Sequence, residues 1–119
     1  MGGASARQAV VTALVYCPFP DRESAETIAR QLLDERLVAC VNLGPSVLSA
    51  FVWEGDAGSA EETPALFKTD ARCLQAAMKR LEDLHPYDTP AIMGWPCDAS
   101  ASTRAWLGGL VEGVDHEAE

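Results

Sequence analysis

This 119-residue chain has no apolar run long enough to cross a bilayer. The longest, Ala9 to Cys17, is interrupted by Thr12 and stops at Pro18, far short of the ~20 residues a spanning helix needs. Basic residues are scarce: 9 Lys and Arg stand against 18 Asp and Glu, for a formal net charge of −9. Such a balance repels a phosphate backbone, whose recognition needs Lys and Arg to displace counterions. Nucleic acid is excluded as a partner on this ground, and an anionic membrane is disfavoured. Cations are what such a field attracts. Histidine is nearly absent, with only His85 and His116, so no multi-histidine metal centre forms within one chain. The four cysteines, Cys17, Cys40, Cys73 and Cys97, are widely and irregularly spaced, without a C-x-x-C motif. There is no phosphate loop, H-E-x-x-H helix or Ser/His/Asp order, and no enzymatic activity is expected.

Targeting signals are missing too. Arg7 precedes the apolar run, but Pro18-Phe19-Pro20 follows it in place of a small-residue cleavage site. Ala6 stands where a myristoylation site requires Ser or Thr. The expectation is a soluble cytoplasmic protein with reduced cysteines, most of them acting as small buried hydrophobes.

What is present is one domain at 9–112, between a Gly/Ala/Ser-rich start (1–8) and an acidic tail (113–119), both expected to be flexible. Ala9 to Cys17 reads as a strand buried on nearly both faces. Asp21 is placed to cap a helix near 22–36, with Ile28, Ala29, Leu32 and Leu33 on one face and Glu26 four residues before Arg30. Val38 to Leu43 is a second strand, broken at Gly44-Pro45 and resumed from Val47 to Trp53, before Glu54-Gly55-Asp56 turns the chain. A third strand is predicted at Ala65 to Thr69, with Pro64 at its start. Thr69 or Asp70 caps a helix carrying Leu74, Ala77, Met78, Leu81 and Leu84, which His85-Pro86 stops. A fourth strand at Ala91 to Pro96 and a helix near 102–111, presenting Trp106, Leu107, Leu110 and Val111, complete the series.

Two βαβ units and a final helix make an α+β, ferredoxin-like βαββαβ plan with both main helices on one sheet face. The other face and the edge strands then carry Val47, Leu48, Phe51, Val52 and Trp53. They are too apolar for an exposed ribbon, and self-association that covers them is expected.

Ala39-Cys40-Val41-Asn42, Trp53-Glu54-Gly55, Glu62, Lys68-Thr69 and His85-Pro86-Tyr87-Asp88-Thr89-Pro90 occur in an order and spacing that closely resemble the CutA family of divalent-cation tolerance proteins. The resemblance spans about residues 10–112. It implies a ferredoxin-like protomer in a tight homotrimer and no catalytic turnover. It also implies binding of copper or another divalent metal ion through a Cys, a His and an acidic residue, with no cofactor obligatory. The chain departs from the family pattern at Ala91, where Glu is usual, at Phe51, where Tyr is typical, at Pro18, where Thr is common, and at Thr63-Pro64-Ala65, where a more polar strand is usual.

Cys17 and His85 are thus the metal-ligand candidates, because thiolate and imidazole suit copper. For Cys17 the alternative is core packing. For His85 it is interaction with the last helix carbonyls. Cys40 reads as core, Cys73 lies in the first turn of a helix, and Cys97 is unassigned. Trp53, Glu62, Lys68 and Tyr87 are candidates for a cleft between subunits; alternatively Trp53 anchors the trimer and Glu62 pairs with Lys68. Two further functions stay open: a small-molecule sensor resembling the trimeric PII signalling proteins, and a scaffold for another protein.

Overall fold

A computed structural model describes residues 11–111. The expected flexible segments 1–8 and 113–119, with His116, and the first residues of the predicted strand, Ala9 and Val10, lie outside that range; so do the side chains of Leu110 and Val111. Strand β1 (Thr12–Phe19) leads to helix α1 (Arg22–Asp34). Asp21 caps α1 by accepting the Ser24 N–H at 2.8 Å, which satisfies one of the unpaired donors of the first turn. At the other end the Leu37 N–H reaches Leu32 O (3.0 Å) and the Arg36 N–H reaches Leu33 O (3.1 Å). Arg36 adopts a φ of 61° to make this Schellman closure.

Then come β2 (Cys40–Leu43), β3 (Val47–Trp53), β4 (Asp56–Asp70), a 3-10 turn (Ala71–Cys73), α2 (Leu74–Leu84), β5 (Met93–Cys97) and α3 (Ala101–Val111). The sheet order is β2-β4-β1-β5, antiparallel throughout, with β3 added to the first half of β4. This is the expected ferredoxin-like arrangement. Its core joins Val15, Cys17 and Phe19 of β1, Ile28 and Leu32 of α1, Phe67 of β4 and Leu81 of α2.

Strand β4 starts at Asp56, not at Ala65, and runs for 15 residues. Ala57-Gly58-Ser59-Ala60 has little strand propensity, but pairing with β3 supplies the ladder from Trp53↔Asp56 to Val47↔Glu62. Glu54 and Gly55 close this hairpin at φ 52° and 88°, the type I′ geometry that matches strand twist. Pro64 consequently lies inside a strand, opposite Pro18. Neither proline carbonyl is directed at the other strand's backbone: Pro64 O accepts the Gly44 N–H (2.9 Å) and Pro18 O meets His85 Nε2 (2.8 Å). The missing N–H groups thus point away from the β1–β4 ladder, and the Gly44-Pro45 break lies beside Pro64.

Asp70, rather than Thr69, caps the turn into α2, accepting the Arg72 N–H at 2.8 Å. The Thr69 hydroxyl instead donates to Leu37 O at 2.7 Å. The second sheet face is not wholly bare: α3 packs on β4 and β1 with Leu107 buried, and Thr12 and Asp70 are buried as well. Burial alone would raise the Asp70 carboxyl, but the hydrogen bonds and charge of Arg72 together hold it below its ordinary value of 3.8. A depressed folded-state value stabilises the fold above the ordinary carboxyl range, and that stabilisation disappears as pH falls through it. Acid titration followed by circular dichroism is expected to show a shallower acid limb for Asp70→Asn than for the parent; an identical limb would remove this contribution.

Candidate functional site

The end of β1, the end of α2 and the base of the β3–β4 hairpin meet around one carbonyl. Pro18 O accepts from His85 Nε2 at 2.8 Å and, more loosely, from Cys17 Sγ at 3.6 Å. His85 Nδ1 accepts the Tyr87 N–H at 3.1 Å. An imidazole nitrogen that accepts carries no hydrogen, so Nε2 holds the ring proton and the tautomer is set. The ring stacks on Phe19 (4.7 Å, 19°) and lies tilted against Tyr87 (4.8 Å, 48°). Tyr87 Oη donates to Glu62 Oε2 at 2.9 Å, tying the 85–91 loop to β4.

Cys17 is fully buried. Burial first, and the Glu62 charge second, push its thiol up to about 12, so it keeps its proton at neutral pH. Burial and the Glu62 hydrogen bond likewise push the Tyr87 phenol to about 12. As folded, the Cys17–His85 pair offers an ion no free lone pair of the usual kind. No group of three or more His, Cys, Asp or Glu side chains gathers as a metal cage among the described residues. An ion must displace the thiol proton and shift the imidazole tautomer, which breaks the Tyr87 N–H bond.

Beside this network lies a groove of about 740 Å³, between the hairpin and the 85–91 loop. Alternation along β3 sends Ser49, Phe51 and Trp53 to one face, and pairing sets Ala60 and Glu62 beside them. A Cβ on Gly58 would come within 2.9 Å of the Phe51 ring, so glycine there leaves room for the ring beside β4.

Of the four cleft candidates, the structure brings Trp53, Glu62 and Tyr87 into this groove and leaves Lys68 out. Lys68 is six positions along β4 from Glu62, roughly 20 Å at 3.3 Å per residue, so the two do not pair within one chain. Cys40 opens β2 half-buried opposite Lys68, not in the core. Cys73 is buried and Cys97 half-buried, with the Thr12 hydroxyl bonded to the Cys97 carbonyl. Sequence reasoning missed Glu54, Asp88 and Thr89 as groove residues; their place in the W-x-G and H-P-Y-x-T-P motifs was the available signal.

A five-stranded antiparallel sheet with α1 and α2 on one face, and a cleft at the hairpin base, defines a ferredoxin-like α+β protein. Residues 13–109 match the family described as CutA1 divalent ion tolerance protein, and the chain belongs to that family. The divalent-cation tolerance protein CutA of Yersinia pestis (strain Pestoides F) is 37% identical over 95 residues, covering 79% of this chain and 80% of the relative. CutA from Xylella fastidiosa superposes with a TM-score of 0.80 at 33% identity, covering 85% of this chain and 98% of that one. A CutA from Archaeoglobus fulgidus, described as periplasmic, gives 0.80 at 31% identity, covering 85% and 99%. Among the described residues no helix is long and apolar enough to cross a membrane.

Proposed function

We propose that this chain acts in the response to divalent metal ions as a cytoplasmic homotrimer, without catalytic turnover, and binds copper or another divalent ion through Cys17 and His85. Family membership supports the role, and the net charge of −9 favours cations. The observation that carries the ligand assignment is the convergence of Cys17 Sγ and His85 Nε2 on the single oxygen of Pro18. A soft ion entering there meets sulfur and nitrogen together. Self-association is supported by two apolar residues on one face of β3: Leu48 and Val52 are 72% and 73% exposed.

Binding through Cys17 is coupled to proton release. Below the thiol value of about 12, apparent affinity rises roughly tenfold per pH unit. Anaerobic Cu(I) and aerobic Cu(II) titrations about two pH units apart are therefore expected to differ by up to ~100-fold, with Cys17→Ser and His85→Ala each weakening binding at least ~10-fold. Equal binding in all three proteins, or no pH dependence, overturns the ligand assignment.

A second reading has a specific observation behind it. The groove holding Trp53, Glu62 and Tyr87 has the volume of a small-molecule site. A trimer that also covers the Phe51–Trp53 face of β3 would roof it, giving a ligand cleft between subunits of the kind PII-like sensors use, a likeness of fold alone.

A further inference from the structure

The groove has a chemistry that metal binding at Cys17 and His85 leaves unused. Its walls include the rings of Phe51, Trp53 and Tyr87, and its charged members are all acidic: Glu54, Glu62 and Asp88. Among the described residues no Lys, Arg or His lines it. Glu62 accepts one hydrogen bond, from Tyr87, and its remaining lone pairs can take more. Glu54 and Asp88 make no side-chain hydrogen bond or ion pair among the described residues.

Each ligand class meets this surface differently. A small hard ion requires several converging oxygens, and no such cage forms among the described residues. An anion meets three carboxylates and, among the described residues, no cation. A neutral apolar compound gains from the rings but nothing from the carboxylates. A diffuse organic cation gains from both. Its charge is attracted by ring faces as well as by carboxylates, and its weak hydration makes desolvation against an apolar wall inexpensive.

We propose that this groove is a binding site for a weakly hydrated organic cation, a quaternary ammonium or guanidinium group on an apolar body. The proposal rests on the reading of the groove as a small-molecule cleft and specifies its ligand class. The charged head sits at Glu62 beside the Tyr87 ring, and the apolar body lies along Phe51 toward Trp53, the order that the β3–β4 pairing sets.

Calorimetric titration of the full chain with benzyltrimethylammonium, benzyl alcohol and benzoate tests this directly. The cation is expected to bind at least ~10-fold more tightly than either other probe, and more weakly as salt is raised. Glu62→Gln, which keeps an acceptor for Tyr87, and Trp53→Leu are each expected to lose ~5-fold or more. Lys68→Gln, outside the groove, is expected to stay within about twofold. Circular dichroism and assembly mass serve as the folding check for each variant. Equal binding of all three probes, lost on Trp53→Leu, would overturn the cation assignment and leave the cleft. No binding of any probe by the folded parent protein would overturn both.

Discussion

A chain carrying Leu48→Lys and Val52→Lys is expected to run as a monomer near 12.7 kDa where the parent runs at three times that mass. Positions 48 and 52 lie on one face of β3, four residues apart, and both are more than 70% exposed in the single chain. Their alternation partners Glu61 and Ala57 place the same face of β4 beside them. Burying an ammonium in a subunit contact costs several kcal/mol of desolvation, at position 52 with only Ala57 opposite and at position 48 even with Glu61 opposite, and in the proposed trimer the substitution acts at every subunit contact. The single chain should keep its fold, because neither side chain belongs to its core. Light scattering at micromolar concentration decides the matter. An unchanged oligomer would show that this face is not the contact, and a parent protein at 12.7 kDa would end the trimer proposal.

Phe19→Ala is expected to destabilise the fold by about 3–5 kcal/mol, a large share of the roughly 5–15 kcal/mol typical of a domain. Phe19 is fully buried and its ring carries His85 at 4.7 Å. Losing it leaves a cavity and also removes the wall that orients the imidazole. The bonds to Pro18 O and from the Tyr87 N–H depend on that orientation, so the 85–91 loop should loosen with the core. Urea titration measures the first effect and amide exchange at Tyr87 the second. Val15→Ala, also fully buried, is the comparison: it should lower stability without selectively speeding exchange at Tyr87. A loss below ~1 kcal/mol for Phe19→Ala, or equal exchange in both variants, would remove Phe19 from this role.

Some of this was legible residue by residue. Helix α1 announces itself because its signals are local. Asp21 stands three residues before Ser24, whose N–H it accepts; Glu26 and Arg30 pair at 2.9 Å across one turn; and Ile28, Ala29 and Leu32 share a buried face. The first half of β4 gave no such signal. Ala57-Gly58-Ser59-Ala60 shows neither alternation nor β-branching, and it is a strand only because Phe51 and Ser49 stand opposite Gly58 and Ala60. The same pairing turned Pro64 from a strand start into a strand interior.

The candidate site divides along the same line. Sequence reasoning picked out Trp53, Glu62, Tyr87, Cys17 and His85, and the fold gathers Glu62, Tyr87, Cys17 and His85 at the end of β1 and the base of the hairpin, with Trp53 at the hairpin tip in the same groove as Glu62 and Tyr87. It also picked out Lys68, which the rise along a strand carries away from the others. The residue type at position 85 was readable, but not that both ring nitrogens are engaged, nor that the position 17 thiol is sealed beneath Pro18. By itself the sequence determined the element order, the Asp21 cap, the acidic field and the family, because these follow from neighbours along the chain and from composition. Only the tertiary structure decided the length of β4, the protonation of Cys17 and the tautomer of His85. It alone set which polar residues share a groove, because each depends on groups distant in sequence that folding places within hydrogen-bonding distance.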